Sequence, residues 1–107
     1  MSRRLRFGAH AFEQLEREIA SLDDPRAALR LADTIERRLS RLKTLPGIGR
    51  MVPELGIDEL REVIIPPFRI VYRVEPAAIR VLAVVHSRRK LESALPAAAR
   101  TRRRPQH

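Results

Sequence analysis

The spacing of apolar residues changes once along this chain, at Pro46 and Gly47. Before that point, apolar side chains recur every three or four residues, which is the period of an amphipathic helix. After it, three runs rich in Val and Ile occupy residues 60–65, 68–75 and 79–87 and favour strands. Helices followed by a group of neighbouring strands are typical of an α+β fold, so this change of period indicates the fold class.

The helical half contains two apolar stripes joined by a short link. The first stripe, in "AHAFEQLEREIASL", consists of Phe12, Leu15, Ile19 and Leu22. A second helix can begin where Asp24 caps it and Pro25 takes the first helical position, and Pro46 and Gly47 end it. Its stripe consists of Ala28, Leu31, Ala32, Ile35, Leu39 and Leu42, with Asp33 and Arg37 free to pair outside it. The short link "SLDDP" predicts an antiparallel helical hairpin.

The turn "EPAA" predicts the register of the last two strands. On one face, Val74 is expected opposite Ile79, Tyr72 opposite Val81, Ile70 opposite Ala83 and Phe68 opposite Val85. On the other face, Val71 is expected opposite Leu82, Arg69 opposite Val84 and Arg73 opposite Arg80. The first set is apolar throughout, so that face should cover the helical hairpin. The Tyr72 hydroxyl should reach a polar partner or the edge of the core.

We therefore predict an α+β fold with an N-terminal edge strand in residues 3–8, the antiparallel helical hairpin and a three-stranded antiparallel sheet. The helices should lie on one face of the sheet. At 107 residues the chain has room for one ordinary domain, which we assign to residues 1–95. Residues 96–107 form a basic tail of Ala, Arg and Pro that we expect to be disordered in isolation.

Two arginines directly across the sheet from each other, Arg73 and Arg80, are unfavourable without compensation. The compensation is either an external anion or the nearby carboxylates of Glu62 and Glu75, and both alternatives stay open for Arg73. In one register of the first two strands, Glu62 lies beside Val71. For Arg69, which lies near the end of its strand, we favour a functional role.

Charge and composition narrow the classes of partner. Lys and Arg number 22 against 13 Asp and Glu, a net charge of +9, which favours an anionic partner, either nucleic acid or an acidic protein. The absence of cysteine excludes disulfides, thiolate metal sites and a Cys nucleophile. No apolar run is long enough for a membrane, and the N-terminus lacks a signal peptide's apolar stretch, so we expect a cytoplasmic protein.

One group of side chains has the chemistry that catalysis requires. His86 has the parity of Arg80 and should point to the arginine-bearing face, with Arg88 and Arg89 immediately after it. A group made of His86 and Arg88 with Arg69 and Arg73 could cleave RNA without a metal through the 2′-hydroxyl. A lone His at a strand end is more often a surface residue bonded to a backbone carbonyl, and we favour that interpretation. We expect no cofactor, metal or small-molecule substrate, because the histidines are scattered and "PGIGR" lacks the spacing of a phosphate loop.

Residues 4–90 resemble the RelE/ParE superfamily of bacterial type II toxin–antitoxin toxins. The resemblance is carried by "GRMVPEL" (49–55), "LRE" (60–62), "FRIVYRV" (68–74) and "VVHSRR" (84–89). It implies a small antiparallel sheet with a helical hairpin on one face and a cognate antitoxin that blocks the toxin. RelE-like members cleave mRNA on the ribosome, whereas ParE-like members inhibit DNA gyrase.

The resemblance favours the ParE-like branch. Leu60, Arg61 and Glu62 occupy positions where the ribonucleases typically carry lysines, and no Tyr follows the last strand. If the chain were a ribonuclease, the resemblance would assign catalysis to Arg69, His86 and Arg88. The expected partner-binding residues are Arg61, Arg69, Arg73, Arg80, His86, Arg88 and Arg89. A third alternative, a basic nucleic-acid-binding module, is disfavoured because aromatic side chains for base stacking are scarce.

Overall fold

The structure, a computed structural model, describes residues 2–87. The elements in chain order are β1 (Arg4–Phe7), α1 (Ala9–Ala20), α2 (Pro25–Leu42), a 3₁₀ turn (Pro46–Ile48), β2 (Arg50–Met51), β3 (Leu60–Ile65), β4 (Phe68–Val74) and β5 (Ala78–His86). They form one five-stranded sheet in the order β1-β5-β4-β3-β2. The tail 96–107 lies outside the described residues.

The α+β class and the helices on one face of the sheet are confirmed, but the predicted strand count is too low. β1 pairs in parallel with β5 and so joins the sheet as its edge strand. β2, only two residues long, pairs antiparallel with β3 and completes the other edge. The sequence-based expectation of an N-terminal edge strand and three further strands missed β2, because two residues are too few to show an alternating pattern.

The helical hairpin begins and packs largely as the sequence predicts. The Asp24 carboxylate accepts a hydrogen bond from the Arg26 backbone N–H at 3.0 Å, and Pro25 is the first helical residue. Asp33 and Arg37 pair at 3.4 Å on the exposed surface. One stripe residue differs, because Phe12 is 49% exposed and packs edge-on against Phe7.

The main core lies between this hairpin and one face of the sheet. From α2 it takes Ile35, Leu39 and Leu42, and from the strands it takes Val63, Ile65, Phe68, Ile70, Tyr72, Ile79, Val81 and Val84. Tyr72 is fully buried there, which confirms the predicted direction of its side chain. Burial of this apolar surface is the main stabilising contribution to the domain.

The predicted register of β4 and β5 holds for three pairs and then fails at a β-bulge. Arg73 lies opposite Arg80 and Tyr72 opposite Val81, as expected, and Val74 lies opposite Ile79. Beyond them the register shifts by one residue at Leu82. The remaining pairs are therefore Val71 with Ala83, Ile70 with Val84, Arg69 with Val85 and Phe68 with His86, and the four predicted pairings of these β4 residues are wrong.

The bulge has a packing cause on the face of the sheet turned away from the helices, which we call the open face. A second apolar cluster lies there, formed by Val52, Ile57, Leu60, Val71, Leu82, Ala83 and Val85. Leu82 and Ala83 are consecutive, yet both contribute to it, which a regular strand would not allow. The segment between β2 and β3 buries both side chains and so stabilises the extra residue.

Candidate partner-binding face

Arg69 lies on the open face and is held by two carboxylates. Its Nη1 and Nη2 atoms donate to the two carboxylate oxygens of Glu54 at 2.6 and 2.8 Å. Its Nε atom donates to Glu62 at 2.9 Å, and Nη2 also contacts the same Glu62 oxygen. The Arg69 side chain is only 15% exposed. Bidentate contact with one carboxylate and a further contact with another leave its guanidinium fully engaged.

Glu62 is the buried centre of this cluster. It is 1% exposed, and it also accepts a hydrogen bond from the Nε atom of Arg50 at 2.6 Å. Its position beside Val71 is the register that the sequence allowed. Arg50, Glu54, Glu62 and Arg69, which we call the paired cluster, contain two positive and two negative groups and therefore carry no net charge.

The electrostatics of the Glu54–Arg69 pair favour the ionised forms. Hydrogen bonding from Arg69 lowers the pKa of the Glu54 carboxyl to about 2. Conversely, the hydrogen bond to Glu54 raises the pKa of Arg69 above its ordinary range. Each group thus stabilises the charge on the other. The cluster fastens the segment between β2 and β3 to the open face, since Glu54 belongs to that segment and Arg69 to the sheet.

A second set of arginines lies near the opposite end of β4. Arg73 is beside Arg80 on β5, and Arg80 is beside Arg6 on β1, so three arginines stand side by side across three strands. We call Arg6, Arg80 and Arg73 the arginine row. Arg80 donates to Glu75 at 3.0 Å. Within residues 2–87, no hydrogen bond or ion pair reaches the guanidinium groups of Arg6 and Arg73.

His86 lies on the other face of the sheet, and the expectation that it shares a face with Arg80 is wrong. The bulge at Leu82 inverts the parity of the strand end, so His86 lies opposite Phe68. The two rings meet edge to face with centroids 5.9 Å apart. His86 borders a cleft between the end of β5 and α1, beside Gln14 and Arg17. The structure therefore separates His86 from Arg69 and Arg73.

Arg61 also lies on the helical side of the sheet. Its partner across the strands is Tyr72, and its Nη1 atom is 3.5 Å from the Gly49 carbonyl oxygen. The structure thus places only Arg69, Arg73 and Arg80 of the predicted partner-binding residues on the open face. Arg88 and Arg89 lie outside the described residues.

Tyr72 positions the chain that leads into β2. Its hydroxyl donates to the Pro46 carbonyl oxygen at 2.8 Å and accepts from the Gly49 N–H at 3.0 Å. Burial raises the pKa of the Tyr72 hydroxyl. A side chain at Gly49 would come within 2.7 Å of the Glu62 carbonyl oxygen, so this close approach requires glycine. Through these contacts, the helical side of the sheet fixes the segment that delivers Glu54 to the open face.

Sequence reasoning missed two features of the open face, namely the contact of Glu54 with Arg69 and the place of Arg6 in the arginine row. Glu54 lies in a segment without periodicity, so nothing in the sequence signals its contact. The alternation of Arg4, Leu5, Arg6 and Phe7 was visible, and it placed both arginines on one face. Only the parallel pairing of β1 with β5, a long-range contact, brings Arg6 beside Arg80.

The described residues were also compared with the requirements of a metal site and of a membrane-spanning helix. Within residues 2–87, no group of three or more His, Asp and Glu side chains is arranged to hold a metal ion. Neither α1 nor α2, the two α-helices of that region, is long and apolar enough to cross a bilayer.

Comparison with known proteins identifies the family. The family model of the ParE toxin of the type II toxin–antitoxin system parDE matches residues 5–91. The chain therefore belongs to the ParE toxin family, within the RelE/ParE superfamily, and is a toxin of a toxin–antitoxin system. No curated protein sequence matches the chain.

Three solved structures share the fold. The chromosomal ParDE toxin–antitoxin system from P. aeruginosa aligns with a TM-score of 0.62 and 20% identity over 79% of this chain and 96% of that one. A mutant of the E. coli toxin RelE in the free state aligns with a TM-score of 0.60 and 17% identity over 82% and 86% of the two chains. The toxin–antitoxin complex RelBE2 from Mycobacterium tuberculosis gives 0.57 and 20% over 80% and 99%. These similarities concern the fold.

Proposed function

We propose that this toxin inhibits DNA gyrase in the bacterial cytoplasm and is neutralised by a cognate antitoxin. Membership of the ParE toxin family supports the gyrase target, because the sequence resembles the ParE-like branch. Two of the solved relatives are a ParDE toxin–antitoxin system and a RelBE2 toxin–antitoxin complex, and they support the antitoxin as partner. The proposal treats the chain as a protein-binding inhibitor.

The separation of Arg69 from His86 is the observation that carries the choice against ribonuclease activity. A metal-independent ribonuclease needs a cation at the scissile phosphate and a proton-transfer group within hydrogen-bond reach of the same substrate. Arg69 is bound by Glu54 and Glu62, and His86 lies on the opposite face of the sheet. The predicted pairing of Arg69 with His86 at one phosphate is therefore not formed.

The partner-binding residues follow from the same geometry. Arg73 and Arg80 are half-buried on the open face near the end of β4, and we propose them as contacts for a partner. Arg69 acts by holding the segment between β2 and β3 in place. Arg88 and Arg89 remain candidates from the sequence. Arg61 and His86 are suited to partners that approach from the helical side.

A supercoiling assay with purified gyrase and a ribosome-dependent cleavage assay test the proposal together. We expect the toxin to block supercoiling and to produce no new 5′ ends in ribosome-bound message, and addition of the antitoxin to restore supercoiling. His86→Gln should leave toxicity largely intact. Cleavage at the ribosomal A site, abolished by His86→Gln in a variant that still folds and binds antitoxin, would replace the gyrase proposal with the ribonuclease alternative.

A further inference from the structure

The arginine row presents several cations within a short distance. Arg73, Arg80 and Arg6 come from neighbouring strands, which lie about 4.8 Å apart, so their backbone positions span about 10 Å. Arg4, which lies beside Ala78 two residues before Arg6, adds a fourth cation on the same face. Both β1 arginines are exposed. This arrangement offers several guanidinium groups to one extended ligand.

The charge of this surface is not balanced within the described chain. Four arginines and one carboxylate, Glu75, give a net charge of +3 (four positive minus one negative). The same face of the same sheet balances its other arginines completely in the paired cluster. Like charges directly opposite each other destabilise a sheet, so the free protein keeps an unfavourable contact that a bound anion would relieve.

The neighbours of the row determine the direction from which a ligand can approach. At one end, Arg73 is beside Leu60, which is fully buried together with Val52 and Ile57. At the other end, β1 is the edge of the sheet. A ligand therefore meets the row from the open face and the β1 edge, and the segment between β2 and β3 blocks the remaining side.

The aromatic residues favour a peptide over a nucleic acid as this ligand. All four aromatic side chains of the chain, Phe7, Phe12, Phe68 and Tyr72, belong to the helical side of the sheet. The open face thus has no ring on which a base could stack, which single-strand binding normally requires. Guanidinium groups bind carboxylates in a bidentate geometry. An extended peptide with acidic residues at alternate positions places its carboxylates about 6.6 Å apart, within reach of several arginines at once.

We propose that the arginine row, together with Arg4, is the docking site for an acidic segment of a protein partner. The site would bind two or more Asp or Glu side chains and would leave the paired cluster undisturbed. The inference rests on the proposed function only in assigning the segment to the antitoxin. The binding chemistry follows from the arrangement of the arginines.

Fluorescence anisotropy with a short labelled peptide of alternating Glu and Thr tests this site at low salt. We expect the wild-type protein to bind this peptide and to bind the matched Gln–Thr peptide at least about tenfold more weakly, because charge-assisted bonds are lost. The affinity of the triple variant Arg6→Gln, Arg73→Gln, Arg80→Gln for the acidic peptide should fall by a similar factor. If the triple variant does not fold, Arg73→Gln alone should weaken binding by about threefold or more.

A matched control distinguishes binding at this site from attraction by the overall positive charge of the protein. The variant Arg17→Gln, Arg26→Gln, Arg30→Gln removes three exposed charges from the two helices and should change the affinity by less than about twofold, since distant exposed charges are screened. Equal loss in both triple variants would overturn the proposal. The proposal would also be overturned if the wild-type protein bound an oligothymidylate of equal charge more tightly than the acidic peptide and the row variant lost that binding. The assay contains neither gyrase nor antitoxin, so its outcome is independent of the gyrase assay.

Discussion

Arg69 and Arg73 lie on the same strand and point to the same face of the sheet, but their surroundings differ in every respect that matters for binding. Arg69 contacts two carboxylates and is mostly buried. Arg73 lies across from Arg80 and has no carboxylate partner within residues 2–87. The first arginine stabilises the fold, and the second leaves its charge available. Alternation along a strand predicts direction, whereas partners from distant segments decide the role.

The largest loss of stability is expected at Tyr72, because this residue on the helical side of the sheet positions the chain that leads to the paired cluster. Tyr72→Ala should lower the free energy of unfolding by about 3–5 kcal/mol, because it leaves a cavity in the core. Tyr72→Phe keeps the ring and should cost about 1–3 kcal/mol, since the buried Gly49 N–H loses its acceptor. Urea denaturation at neutral pH measures both values. An unchanged midpoint for Tyr72→Phe would show that the hydroxyl does not hold the segment carrying Glu54.

The next prediction compares the carboxylates of the two regions. Glu62→Gln should destabilise the protein by about 3 kcal/mol, because it leaves Arg50 and Arg69 without their buried counter-charge. Glu75→Gln removes the partner of Arg80, a 40% exposed side chain, and should cost less than about 1 kcal/mol. The same denaturation experiment provides both values. Equal costs would mean that the two regions do not differ as described.

The contrast between these regions shows which parts of the molecule the sequence predicts. The three longer strands follow from period-two alternation, which is local, and one register of the first two allows Glu62 to lie beside Val71, as the structure shows. The bulge at Leu82 does not, because no Gly or Pro marks it and its cause is burial under a distant segment. The wrong face for His86 is a direct consequence, since one inserted residue inverts every later side chain.

A similar limit applies to the arginines. The sequence shows that Arg73 and Arg80 are opposed, because one short turn connects their strands. It does not show that Glu54 binds Arg69, because an aperiodic segment brings them together. Sequence reasoning therefore favoured a functional role for Arg69 over Arg73, and the surroundings of the two side chains favour the reverse.

Acid titration should distinguish the paired cluster from the rest of the surface. The pKa of Glu54 is about 2 in the folded protein against an ordinary value of 4.5, so its charge stabilises the fold fully above pH 4.5. That contribution is lost as the pH falls from 4.5 towards 2. Glu54→Gln should be less stable than the wild type at pH 7, and the difference should shrink over this interval. Thermal unfolding at a series of pH values measures it, and a constant difference would contradict the assigned ion pair.

The smallest change in the free energy of unfolding is expected at Arg73, and it should be a gain in stability where the other substitutions cause a loss. Arg73→Gln removes one of two like charges that face each other and breaks no ion pair within residues 2–87, so the free energy of unfolding should stay constant or rise by up to about 0.5 kcal/mol. Arg69→Gln, on the same strand and face, should instead destabilise, because Glu62 stays buried with one cation fewer. Raising the salt concentration should reduce any gain at Arg73, since salt screens the repulsion that the substitution removes. A clear loss of stability in Arg73→Gln would mean that Arg73 also supports the fold, and the two arginines would then no longer represent different roles.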